Sequence, residues 1–167
     1  MMDVIFVLLV LALIFIFGPA LFGAPWIPTR EITIDKMLSM ADIKPGEVIY
    51  DLGAGDGRIV IAAARDFKAS SVGIEINPFL VLWARFRIRF MKLDTQAKIV
   101  WGNFHREDLS KADVVTLYLW QGTNDALRDK LKRELKPGSR VVSRIFTFSG
   151  WDPSVVDEKR SIYVYQM

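Results

Sequence analysis

Cysteine is absent from the 167-residue chain, and histidine occurs once, at His105. The first absence excludes disulfides and thiolate metal sites; the second leaves no imidazole cluster, so no metal is expected. Lysine and arginine are missing from the first 29 residues, where Asp3 is the one charged side chain. No internal repeat and no low-complexity linker is present. Nor is there a basic tail. Net charge is +3, and residues 30–167 carry 22 basic against 18 acidic side chains, or +4. So mild a balance suits an anionic surface or an acidic partner and does not call for nucleic acid.

What the N-terminus has is hydrophobicity. Val4 to Phe17 is apolar without a break, and no charge appears before Arg30. Roughly 20 apolar residues cross a bilayer, so Val4 to Ile27 is expected to form a transmembrane helix, with Pro19 and Pro25 weakening its end and Trp26 at the interface. A cleaved signal peptide would need a basic start and a small-residue cleavage site, and "MMD" supplies neither. A buried hydrophobic arm is a third reading, opposed by the length of the run. Arg30 and Lys36 follow the span, which places the rest of the chain in the cytoplasm, as a single-pass membrane protein. The expected organisation is an anchor over 1–29 and a folded domain over 30–167.

Within the domain, "ITIDKMLSMA" predicts a short helix from about Thr33 to Ala41, closed by Pro45-Gly46. "EVIYDL", "SSVGIEI", "AKIVWG", "ADVVTLYLW" and "SRVVSRIF" read as five strands, with "SIYVYQM" as a last one. Helices are expected in "GDGRIVIAAARDF", in "NPFLVLWARFRIRFMKL" with Asn77 as cap, and in "TNDALRDKLKREL" capped by Thr123 or Asn124. Strands alternating with helices make an α/β domain with a doubly wound, mostly parallel sheet.

The turn after the first strand, "DLGAGDGR", is the chemical signal. Such a turn sets a ligand at a helix N-terminus, at the carboxyl end of the sheet. The dinucleotide pattern G-x-G-x-x-G fails, because Arg58 stands where its third glycine belongs. Asp51 and Asp56 would also repel a pyrophosphate. They suit a ligand with a cationic end, and S-adenosylmethionine carries a sulfonium and an ammonium but no phosphate. Gly53 and Gly55 allow close backbone approach. Glu75, ending the second strand 22 residues after Gly53, offers two oxygens to two ribose hydroxyls. In "WGNF", Asn103 is placed to bond adenine and Phe104 to cover its face. The alternative is an unliganded domain whose glycines only form turns.

"DLGAGDGRIVIAAA" followed by "GIEINPFLVLWAR" resembles class I, seven-strand-type S-adenosylmethionine-dependent methyltransferases. The runs "EINPFLV" and "RIFTFSGW" are more particular: they resemble the membrane-anchored mitochondrial protein lysine methyltransferases acting on the adenine nucleotide translocase and ATP synthase subunit c, and their archaeal relatives. The resemblance covers nearly the whole chain. It implies a Rossmann-like methyltransferase sheet, lysine as acceptor, and cofactor binding by Asp51, Gly53, Gly55 and Glu75. With their neighbours in the turns and the residues read above, the expected cofactor site comprises Asp51, Gly53, Ala54, Gly55, Gly57, Glu75, Ile76, Asn103, Phe104 and Thr33. Two features depart from other methylases: the fourth strand ends in "YLWQG" rather than an "NPPY" type of turn, and the chain stops soon after Tyr165, so its C-terminal strand pair must be short.

Methyl transfer is an in-line displacement, and the protein's main task is alignment. No dedicated base stands out, so no catalytic residue is assigned. Tyr118, Trp120, Phe146 and Trp151 are candidates for an aromatic channel around the lysine stem, or else core residues. Thr33 is a candidate hydroxyl donor to the methionine carboxylate, or part of a plain helix cap. His105 reads as a loop residue, and Arg85, Arg89 and Lys92 as a solvated basic stripe with lipid headgroups as the sharper alternative. Three functions compete: methylation of protein lysine near a bilayer, methylation of a small or lipid-like molecule there, and a non-catalytic cofactor-binding assembly role.

Overall fold

The computed structural model of the protein describes residues 4–7 and 27–167. Almost all of the expected membrane span lies outside the described residues. Among those described, no helix is long and apolar enough to cross a membrane.

Helix α1 (Glu31–Met40) leads into strand β1 (Val48–Leu52), helix α2 (Arg58–Phe67), strand β2 (Ser70–Glu75), helix α3 (Pro78–Phe90) and strand β3 (Ala97–Trp101). Strand β4 (Val114–Leu117), helix α4 (Gln121–Glu134), strand β5 (Arg140–Arg144), and strands β6 (Val155–Asp157) and β7 (Ile162–Gln166) follow. The seven strands form one sheet in the order β3-β2-β1-β4-β5-β7-β6. β1 to β5 run parallel, and β7 is antiparallel to β5 and β6. The order reverses between β1 and β4, and such a switch point opens a crevice beyond the carboxyl ends of the strands.

Both faces of the sheet are covered. On one, α1 and α2 bury Met37, Leu38 and Ala63 against Ile49, Val114 and Val142. Beside them α3 packs Val81, Ala84 and Ile88 onto α2 and β3. On the other face, Leu127 and Leu131 of α4 meet Val115, Leu117 and Val141. α2 lies close to β2 at Gly73, where a Cβ would sit 2.9 Å from Val60 Cγ2 and 2.6 Å from both Ala54 Cβ and Ile99 Cδ1.

Four details correct the sequence reading. β4 stops at Leu117, so Tyr118, Leu119 and Trp120 form an irregular connection to the next helix. α4 starts at Gln121 with Trp120 as N-cap, and neither Thr123 nor Asn124 caps it. Thr33 is no cap either: it lies on the buried side of α1, whose N-cap is Arg30. The short strand β6 is not among the strands read from the sequence pattern, because its three residues carry no apolar alternation. Asn77 does cap α3, its Oδ1 accepting from Phe79 N at 3.0 Å and Leu80 N at 3.4 Å. The C-terminal strand pair is short, at three and five residues.

Candidate active site

The glycine turn sits at the carboxyl end of β1, at the switch point. Gly53 N and Ala54 N both donate to Ile74 O, at 2.9 and 3.0 Å, and Gly57 N donates to Ala54 O at 2.9 Å. Gly53, Gly55 and Gly57 all have positive φ, at 79°, 56° and 76°, which explains their residue type. Their surroundings differ. Gly53 is solvent-exposed, and a Cβ there would meet Leu119 Cδ2 at 3.1 Å. Gly57 is buried as the N-cap of α2, and its Cβ would meet Ala84 Cβ of α3 at 3.0 Å, so helix packing accounts for it. Ala54 turns its methyl into the core between α2 and β3.

Asp51 is buried at 3% exposure. Thr116, its register partner on β4, donates to Oδ1 at 2.8 Å, and Oδ2 accepts no hydrogen bond among the described residues. Burial, opposed in part by the Thr116 bond and reinforced by the negative Glu75 and Asp56, pushes the Asp51 carboxyl up to about 7. Glu75 is buried as well. Its Oε2 accepts from Gly55 N at 2.8 Å and its Oε1 from Asn77 N at 2.8 Å. Each oxygen is thus aimed by one backbone donor and keeps a lone pair for another.

Asp56 does something else. Arg58 grips it with two hydrogen bonds of 2.8 and 2.9 Å, and Arg87 adds a third of 2.6 Å. Arg58 also donates to Thr29 O at 2.8 Å, tying the start of α1 to the glycine turn. Asp56 is therefore neutralised from within, and Asp51 alone keeps an unengaged carboxylate oxygen. One buried carboxylate short of positive charge, and a second offering two acceptors, fit the ammonium and ribose of S-adenosylmethionine. They oppose a pyrophosphate.

Ile76 is partly exposed beside Glu75, and its carbonyl accepts from Trp101 Nε1 at 3.0 Å. Asn103 spends its Oδ1 on His105 N at 2.9 Å. Phe104 is half-buried and packs on the core, with the His105 ring 4.8 Å away. His105 lies on the exposed side, its imidazole pKa lowered by burial and by Lys130.

At the carboxyl ends of β4 and β5 the aromatic candidates divide. Trp120, half exposed, stacks on Phe146 at 6.0 Å, and the Arg144 guanidinium lies 4.7 Å from the centre of the Tyr118 ring. Trp151 is not with them. It packs against Phe148 and Tyr165 at 5.1 and 4.8 Å, with Lys132 from the last turn of α4 over its ring. Tyr165 pairs with Val141 near the start of β5, so this cluster lies toward the opposite end of the sheet.

Sequence reasoning missed several residues here. Arg144 opens the "RIFTFSGW" run, but nothing in that run points to its seat over Tyr118. Asn124 Nδ2 donates to Ser143 Oγ at 3.1 Å and to the carbonyls of Phe146 and Thr147 at 3.0 and 3.2 Å, fixing the loop after β5. In that loop Ile145 has φ 66°, a strained value for a β-branched residue.

Comparisons with known proteins identify the family. The chain is 41% identical over 148 residues, covering 84% of itself and 92% of the other protein, to a protein-lysine N-methyltransferase of Saccharolobus islandicus. To the adenine nucleotide translocase lysine N-methyltransferase of Mus musculus it is 34% identical, covering 83% of itself and 60% of that longer protein. Among solved structures, an RNA methyltransferase from Salinibacter ruber in complex with S-adenosyl-L-homocysteine superposes with a TM-score of 0.80 at 42% identity, over 83% of this chain and 91% of that one. Residues 51–155 match the ANTKMT methyltransferase domain. The chain belongs to that family and is an S-adenosylmethionine-dependent methyltransferase.

Proposed function

We propose that the enzyme methylates the ε-amino group of lysine side chains on a membrane-associated protein. In this reading residues 1–29 are the membrane anchor and residues 30–167 the catalytic domain, on the cytoplasmic side. Similarity along nearly the full length of the Saccharolobus protein-lysine N-methyltransferase carries the reading. The uncharged N-terminal run and the arginine and lysine that follow it support the anchor and its orientation.

S-adenosylmethionine, when bound, supplies an electrophilic methyl group on a positively charged sulfur. Asp51 would face the ammonium of the methionine part, and Glu75 would accept from the ribose hydroxyls. Gly53 permits close approach, Ile76, Asn103 and Phe104 border the adenine side, and Thr33 lies on the helix that Arg58 ties to the turn. A lysine acceptor must be neutral, which costs roughly 4–5 kcal/mol at pH 7 from its ordinary pKa. Trp120 and Phe146 offer an apolar seat for the lysine stem. The Arg144 guanidinium over Tyr118 adds positive charge there, which disfavours an ammonium and lowers that cost.

A nucleic-acid acceptor is the second reading, favoured by the name of the Salinibacter relative and opposed by the mild charge of the chain. Incubating the full chain with methyl-labelled cofactor and either membranes or RNA separates the two. Methyl-lysine in a membrane protein, located by mass spectrometry, is the expected result; label confined to RNA or to the lipid extract overturns it.

A further inference from the structure

We infer that the outward face of α3 is a second membrane-contact surface, one that rests in the headgroup region of an anionic bilayer. Leu82, Trp83, Phe86 and Phe90 are 63%, 53%, 56% and 78% exposed. Their spacing gathers them on one side of the helix, opposite the buried Val81, Ala84 and Ile88. Trp83 stacks on Phe86 at 5.6 Å, and Phe86 on Phe90 at 6.1 Å, so the row is ordered. Contiguous exposed aromatics of this size mark an interaction site.

Charge chooses the occupant. Residues 76–93 contain four basic side chains and no acid. Arg85 and Arg89 flank one edge of the apolar face, and with Lys92 they form no ion pair among the described residues. Arg85 donates instead to Ile99 O, at 2.8 and 3.1 Å. A second copy meeting this face with its own would bring arginine to arginine. The chain's uncharged N-terminal run would match the aromatics and leave the basic edge unanswered. Lipid phosphates above acyl chains answer both, as for interfacial helices with aromatic and leucine residues on one face and arginines at its borders. The inference is independent of the methyl acceptor, because it needs only the surface of α3.

The absence of cysteine makes the test direct. Phe86→Cys and, separately, Leu82→Cys carry an environment-sensitive dye in the full chain, with Ala126→Cys on α4, across the sheet, as control. The proteins are reconstituted into vesicles of phosphatidylcholine and phosphatidylglycerol with brominated acyl chains. Dye at 86 and 82 is expected to be quenched at least about twofold more than dye at 126, since interfacial helices sit roughly 5–10 Å deep. Quenching no greater than at 126 overturns the inference. So does dye shielded from aqueous iodide yet untouched by brominated lipid, which means that protein covers the face. Equal quenching in phosphatidylcholine alone overturns the anionic requirement.

Discussion

Lowering the pH from 7 to about 5.5 is expected to weaken S-adenosylmethionine binding roughly fifteenfold, close to 1.6 kcal/mol, through Asp51 alone. In the free protein, burial raises this carboxyl to about 7. The cationic ligand needs the ionised form, which is about half populated at pH 7 and roughly 3% populated at pH 5.5. Binding must therefore expel a proton, and titration calorimetry in buffers of different ionisation enthalpy reads that proton directly. The free protein responds with the opposite sign. Between the ordinary aspartate value of 3.8 and about 7, the native state holds a proton that the unfolded chain has lost. Its stability falls as pH rises through that window, by on the order of 4 kcal/mol at most. Asp51→Asn keeps an oxygen for Thr116 and removes the charge. It should stabilise the free protein at pH 8, flatten both pH profiles and weaken cofactor binding at pH 8. Affinity that stays level from pH 5.5 to 8 with no proton released would refute the reasoning.

Glu75→Gln sets an amide hydrogen against the N–H of Gly55 or Asn77 and loses a ribose acceptor; cofactor affinity should fall by about 2–3 kcal/mol, read by calorimetry. Asp56→Ala strands Arg58 and Arg87 beside the turn, and denaturant unfolding should show a loss of roughly 3 kcal/mol. Gly73→Ala forces a methyl against Ala54, Ile99 and Val60, with an expected loss of about 1–3 kcal/mol or more by the same measurement. Trp120→Ala should lower kcat/KM for the methyl acceptor with little change in melting temperature, whereas Trp151→Ala should lower the melting temperature and leave kcat/KM unchanged, because Trp151 packs away from the strand ends.

The glycine turn, Glu75 and the Asn77 cap were legible because each is local. A strand, a turn and a helix start lie within ten residues, and the acid closes the next strand. Where contacts are distant, legibility ends. The boundary of β4 illustrates this: Leu119, beyond the strand, is buried like the strand residues before it, so apolar composition could not mark where pairing stops. Asn124 looks like a cap by residue type, yet its amide is used by a loop about 20 residues away. Arg144 meets Tyr118 because β4 and β5 are neighbours in the sheet, which no spacing in the chain announces. Ile145 occupies a left-handed conformation where sequence rules would ask for glycine or asparagine.

The two aspartates of the turn show why residue type alone could not assign the site. Five positions apart, both are buried and both look equally suited to a cation. Arg87, 31 residues downstream, and Arg58 satisfy Asp56 and turn it into a fastener joining Thr29 before α1, the start of α2 and the last turn of α3. Asp51 receives one hydroxyl and no cation, and its two acidic neighbours make its charge harder to hold. A carboxylate kept in that condition destabilises the empty protein, and a positively charged ligand removes the penalty. The fold thus sets its arginines on one acid and withholds them from the other, and in the proposed reading the cofactor's ammonium supplies the missing charge.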